Sequence, residues 1–180
     1  MDVVLRGVEE ADWPRWRDLR LRMLADTPLA FTETLETARG HDEEEWRSRV
    51  RRAREPGSST LVAEEGERWV ATMSVFTHPR QGLFLVSVYV DPAHRGGGLA
   101  DRMLAEVLRW ARTRPGQDGI RLHVHERNPR AQAFYHRWGF RDTGVRVPYH
   151  LDPTQREVEM RLAFPGPAPG PAAAPGGHGA

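Results

Sequence analysis

Apolar and polar residues follow two rhythms along this chain, and their succession predicts its elements. "VVLRG" (3–7) reads as a first strand. In "WPRWRDLRLRML" (13–24), Trp13, Trp16, Leu19, Met23 and Leu24 fall at helical spacing, with Asp12 before them and Pro14 tolerated in a first turn. "DTPLAFTET" breaks the pattern, and "DEEEWRSRVRRARE" (42–55) predicts a second helix whose leading acids and trailing arginines suit the helix dipole. Residues 59–65, 68–78 and 82–90 read as successive antiparallel strands joined by short turns. The last, "GLFLVSVYV", is apolar on both alternating faces, as in a central strand covered on both sides.

Beyond it, Leu99, Met103, Leu104, Val107, Leu108 and Ala111 form one helical stripe that Pro115 and Gly116 stop. "GIRLHVHE" (119–126) alternates as a strand. Asn128 then offers an N-cap, Pro129 a first helical residue and Gly139 a C-terminal stop. Residues 140–147 and 155–164 read as closing strands. The order βααβββαβαββ predicts a mixed α/β domain around one sheet.

Composition narrows the chemistry. The 180 residues suffice for one domain with a real core, and 26 basic against 25 acidic residues leave a formal net charge of +1. That balance removes the electrostatic argument for a nucleic-acid partner. Every basic residue is arginine, which excludes a Schiff-base lysine and a P-loop lysine. The chain has no cysteine, so disulfides, thiolate metal sites and a cysteine nucleophile are excluded too. The N-terminus lacks a secretory pattern, and no apolar run approaches the roughly 20 residues that span a bilayer. A cytoplasmic protein with no membrane contact is expected. "PGPAPGPAAAPGGHGA" (165–180) cannot bury enough apolar area to offset its ordering entropy. It is expected to be a disordered tail on a single domain of residues 1–164.

The chemistry concentrates at "VDPAHRGGGLADRML" (90–104), where a strand meets three glycines and then a helix. Such a turn is an anion site, because several amides and the helix dipole point one way. A P-loop would need the missing lysine. A dinucleotide fingerprint would need a third small residue where Asp101 stands, and an early βαβ unit in place of three hairpin-like strands.

"RGGGLA" (95–100) resembles the acyl-CoA pyrophosphate loop of the GNAT superfamily of N-acetyltransferases. That pattern is Arg or Gln, two residues, Gly, one residue, then Gly or Ala, and Arg95, Gly98 and Ala100 fill it. "ERNPRAQAFYHRWGF" (126–140) resembles the family's second signature, an Asn opening a helix that carries Phe-Tyr and ends at Gly-Phe. Element order agrees over residues 3–164. The resemblance implies an α/β fold: a single domain with a mixed, mostly antiparallel central sheet, splayed central strands and about four flanking helices. It implies acetyl-CoA as co-substrate, with its pyrophosphate on the amides of Arg95, Gly96, Gly97, Gly98, Leu99 and Ala100. The pantetheine arm would run along the backbone of Val88, Tyr89 and Val90, and Asn128 and Tyr135 would sit near the acyl sulfur. Asn128 also fits a plain N-cap, and Tyr135 also falls on an apolar helix stripe with Ala131, Phe134 and Trp138.

An acetyltransferase must take a proton from its acceptor amine, whose pKa is about 10.4 if lysine-like. His123 and His125, which share one face of their strand, Glu126, or ordered water are the candidates. Many family members carry a glutamate base on the strand before the glycine loop, whereas "LFLVSVYV" offers only Ser87 and Tyr89. No third ligand accompanies the two histidines, so no metal is expected. A strand amide near Val88 would stabilise the oxyanion and Tyr135 would protonate the departing thiolate, with no covalent intermediate.

By the same resemblance the acceptor cleft comes from residues 27–40 and 148–155. Glu33, Glu36, Asp42 and the acids at 43–45 would draw in a cationic amine, with Phe31 and Tyr149 as an apolar wall. The expected acceptor is a small-molecule amine such as a metabolite or antibiotic. A protein N-terminus or lysine is the alternative, as is a non-catalytic module that senses acetyl-CoA. Oligomeric state is left open, a homodimer included. Removing residues 165–180 is expected to leave melting temperature and turnover unchanged; a clear drop in either would reveal an ordered element in that segment.

Overall fold

The computed structural model describes residues 2–165, so nearly all of the expected tail lies outside the described residues. The strands are β1 (Val4–Gly7), β2 (Ser59–Glu65), β3 (Arg68–His78), β4 (Gly82–Val90), β5 (Gly119–His125), β6 (Arg141–Tyr149) and β7 (Asp152–Ala163). They form one seven-stranded sheet in the order β1-β2-β3-β4-β5-β7-β6. Every neighbouring pair is antiparallel except β4 and β5. Those two run parallel and pair only at Leu83 with Ile120 and Phe84 with Arg121. From residue 85 onward β4 has no strand on its β5 side, which is the splay expected at the centre.

The helices are α1 (Trp13–Asp26), α2 (Leu35–Arg39), α3 (Glu43–Ala53), α4 (Leu99–Arg112) and α5 (Pro129–Arg137). One core holds the expected stripe of α4, all of it buried, against β3, β4, β5 and β7, with Tyr135 and Phe140 completing it. A second core joins Leu19, Met23 and Trp46 to Val62, Trp69 and Tyr89 of the sheet. Side chains of β4 enter both cores, as the doubly apolar sequence of that strand requires.

Two segments differ from the sequence pattern. The break at 27–40 contains the one-turn α2, opened by Thr34, whose hydroxyl accepts the Thr37 amide at 3.1 Å, and anchored by the fully buried Ala38. Five residues are too few to show a periodicity. The expected loop at 148–155 is instead a hairpin: β6 reaches Tyr149, β7 starts at Asp152, and only two residues turn between them. Pro148 and Pro153 read as loop residues, yet β6 is an edge strand and Pro153 stands at the start of β7, where a missing N–H breaks no essential ladder bond.

The helical layer is tied together by charge. Glu33 accepts from Arg20 at 3.0 Å and from Arg49 at 2.8 and 3.0 Å, and lies 2.7 Å from His41 Nε2. Burial works against the charged carboxylate, but bonds from Arg49, His41 and Arg20 outweigh it and hold the Glu33 pKa at about 2. A depressed folded pKa gives stability that is present above the ordinary carboxylate range and lost as pH falls toward 2. Glu33→Gln should cost ~2 kcal/mol at pH 7 after allowance for partial solvent screening. In thermal melts that is a drop of roughly 4–8 °C. The gap to wild type should shrink as pH falls from about 4.5; a gap that persists unchanged at pH 3 would refute the ion cluster as its source.

Candidate functional site

The parting of β4 and β5 opens a cleft of about 810 Å³ that passes between the glycine turn and the aromatic side chains Phe31, Phe76 and Phe84. A bulge shapes its β4 wall. Thr72 pairs with Tyr89 but Ser74 pairs with Val86, so Ser87 and Val88 oppose the single residue Met73. Ser87 takes φ +53°, a left-handed conformation that a side chain adopts at a cost. Both residues line the cleft.

At one mouth stands the glycine turn. Gly96 and Gly98 have φ of +83° and +78°, and a Cβ on either would meet nothing within 4 Å. Glycine is required there by backbone conformation, and the space in front of the turn is open. The amides of residues 96–100 donate to no group among the described residues, because Gly98 is the N-cap of α4 and the first turn of a helix leaves its N–H groups unpaired. The amide of Arg95, expected among them, instead donates to the Pro92 carbonyl at 3.3 Å. Its side chain is committed as well: Nε donates to Val90 O at 2.8 Å, the guanidinium pairs with Asp26, and it lies over the Tyr89 ring at 5.7 Å. Arg95 thus holds the turn in shape, and Gly96, Gly98 and Ala100 line the cleft mouth beside Arg130 and Arg137.

Tyr135 lines the cleft from α5 and belongs to the core at the same time, its ring packed on Phe134 and Phe140 at 5.4 and 5.6 Å. The hydroxyl hydrogen-bonds to none of the described residues, and burial pushes its pKa up, so it keeps its proton at neutral pH. Asn128 also lines the cleft, with its side-chain oxygen spent on the Ala131 amide at 3.1 Å as the N-cap of α5.

His123 and His125 both line the cleft, at different depths. His123 is exposed, with Nε2 3.5 Å from Glu159. His125 is buried, edge-on to Tyr149; its Nδ1 accepts the Arg127 amide at 3.2 Å, while Nε2 has no partner. A ring that accepts at Nδ1 carries its hydrogen on Nε2, the tautomer this network assigns.

Three other expected residues sit away from the cleft. Glu126 is exposed at the turn after β5, where it accepts the Arg156 amide at 2.9 Å. Glu33 is held in its arginine cluster, so the attraction expected of it toward an amine is already neutralised. Tyr149 is buried, and its hydroxyl donates to Phe31 O at 2.8 Å; it ties the hairpin to the segment after α1, while Phe31 itself lines the cleft. Sequence reasoning missed Glu157, which lines the cleft from β7 directly across from His125. The alternation of Glu157, Val158, Glu159 and Met160 was the available signal, but it looks the same for a solvent-facing strand.

The sequence model described as the acetyltransferase (GNAT) family matches residues 13–140. A mycothiol acetyltransferase of Salinispora arenicola is 32% identical over 140 residues, 74% of this chain and 43% of that protein, so the chain spans less than half the length of that curated relative. An acetyltransferase of the GNAT family from Streptococcus pneumoniae superposes with a TM-score of 0.77 at 17% identity, covering 91% of this chain and 100% of the other. A Salmonella typhimurium protein solved with acetyl-CoA as its cofactor superposes with a TM-score of 0.73 at 21% identity, covering 96% of this chain and 100% of the other.

The bulge makes its own prediction. Ser87→Gly should hold or raise stability, by up to ~1 kcal/mol, because glycine adopts positive φ freely. Ser87→Val should lower it by about 1–2 kcal/mol, since a β-branched residue is poorly tolerated there. Chemical denaturation reads both; equal stability of the glycine and valine variants would contradict the strained bulge.

Proposed function

The chain belongs to the GNAT acetyltransferase family, and on that premise we propose that it transfers the acetyl group of acetyl-CoA to a primary amine of a small molecule, by direct attack and without a covalent intermediate. The observation that carries this reading is one cleft with an unpartnered glycine turn at its mouth, lined by Gly96, Gly98 and Ala100, and a protonated, unpartnered tyrosine inside. The amides of residues 96–100 and the N-terminus of α4 suit a pyrophosphate, with Arg130 adding positive charge nearby. The unpaired edge of β4 around Val88 and Val90 suits an extended amide-bearing arm, which would add to it as a strand does. Acetyl-CoA, when bound, supplies the activated thioester. Tyr135 is then the group with a proton to give as charge develops on sulfur, and a strand amide near Val88 the group for the oxyanion.

A small acceptor is favoured by Tyr149, whose bond to Phe31 O ties the β6–β7 hairpin to the segment that brings Phe31 to the cleft. A panel of primary amines assayed with acetyl-CoA for released thiol tests the reading. Acetyl-CoA binding without turnover on any amine would convert it to that of a sensor module.

Two variants assign the parts. Gly98→Asp should abolish acetyl-CoA binding in calorimetry, since side chain and charge would occupy the phosphate cradle, and should cost about 1–2 kcal/mol of stability for a side chain at positive φ without unfolding the protein. Tyr135→Phe keeps the ring in the core and removes one oxygen. Its kcat should fall roughly 100-fold, the low end of general-acid effects, because a thiolate also leaves unaided. Acetyl-CoA affinity and melting temperature should barely move. Turnover equal to wild type would leave Tyr135 a core residue only.

A further inference from the structure

We propose that Glu157 is the residue that takes the proton from the acceptor's ammonium, a role for which β4 supplies no acid; this rests on the acetyltransferase reading above.

The argument begins with what the other carboxylates do. Among the described residues, Glu157 is the one carboxylate that is not exposed and makes neither a hydrogen bond nor an ion pair. Its neighbour on the same strand face, Glu159, shows the contrast. Glu159 accepts the Thr143 hydroxyl at 3.0 Å and lies 3.6 Å from Arg121 and 3.5 Å from His123. In a chain with 26 arginines, a half-buried carboxylate left unpaired in the wall of a cleft needs a partner from outside the chain. An ammonium group is the complement in charge and hydrogen-bonding capacity.

The groups that face Glu157 leave the proton-accepting role to it. His125 stands across from it in register on β5 with its one available ring nitrogen already carrying hydrogen, so that ring donates and does not accept. His123 lies further out on β5 beside Glu159, and His150 sits in the turn after β6. Tyr149 is the remaining titratable neighbour, and its hydroxyl is committed to Phe31 O. Burial raises the Glu157 pKa, with His123, His125 and His150 opposing that rise, which moves the carboxylate toward the range where a base works near neutrality.

The step balances with no further reactant. Glu157 takes one proton from the ammonium, the freed lone pair forms the C–N bond, and the C–S bond breaks. Tyr135 gives its proton to the thiolate and regains one, through water, from the second proton lost by nitrogen. Glu157 returns its proton to solvent at the open side of the cleft.

Glu157→Gln keeps the shape and removes the charge. For an amine that the wild type acetylates, kcat should fall at least ~100-fold at pH 7, and the acidic limb of the kcat/KM profile should disappear. The acetyl-CoA dissociation constant should stay within about twofold, and the melting temperature should be equal or higher because an unpaired half-buried charge is gone. The loss should shrink with weakly basic amines that are already neutral at pH 7, and Glu157→Asp should retain intermediate activity with the limb present. Unchanged kcat and profile in a folded, acetyl-CoA-binding Gln variant would overturn the proposal while the acetyltransferase reading stands. So would a rise in amine KM alone, the mark of an anchor. Absence of wild-type turnover with every amine would overturn both.

Discussion

Two residue pairs hold β4 to β5, and the working parts of the molecule follow from where that pairing ends. A sheet that parts at its centre leaves backbone groups without a ladder, which a folded interior tolerates only where something else is to occupy the gap. The parting survives because each half is secured independently. β1 through β4 form one continuous ladder, β5 through β7 another. The core beneath α4 and α5 takes side chains from both halves, while the core beneath α1 to α3 takes its strand residues from β2, β3 and β4. The bulge at Ser87 and Val88 interrupts the β3–β4 register where β4 lines the cleft.

Charge is distributed so that little is left unspent elsewhere. Asp91 holds Arg22 and Arg68 at 2.8 and 2.9 Å just ahead of the glycine turn, and Arg6 joins Asp12 to Glu64 at the sheet edge. Partly buried acids outside the cleft have found arginines or histidines, or in the case of Asp152 the side chains of Thr154 and Gln155. Among the described residues, the unpartnered polar groups at the cleft include the amides of Gly96, Gly98 and Ala100, the Tyr135 hydroxyl, His94 Nδ1, His125 Nε2 and the Glu157 carboxylate. Together they make a site that is negative on the β7 side and donor-rich at the turn, which fits a cationic acceptor meeting an anionic donor.

Much of this was legible in the chain. The stripe of α4, the Asn128–Pro129 cap and the glycine turn carry their instructions locally, in spacing and backbone chemistry, and each appears where the spacing put it. The parted strands were reached only through the family pattern, since no single strand records where its neighbour stops pairing. The acceptor side was least legible. Glu33 and Glu126 are acidic in sequence but spent in the fold, while Glu157 sits in an alternation that any half-exposed strand shows. Whether a carboxylate is free depends on which arginines reach it, and Arg20 and Arg49 reach Glu33 across 13 and 16 residues of chain.

Apart from its histidines, the basic side chains of the cleft walls are guanidinium groups, those of Arg20, Arg95, Arg130 and Arg137. A guanidinium spreads its charge over three nitrogens and is a poor nucleophile. An ammonium side chain in the same places could lose its proton and compete for the thioester, turning the protein into its own acceptor. A wall of arginine attracts phosphate as strongly while staying inert toward acylation. On the acetyltransferase proposal, a reactive acyl group in this site would stand beside four cations that it could not consume.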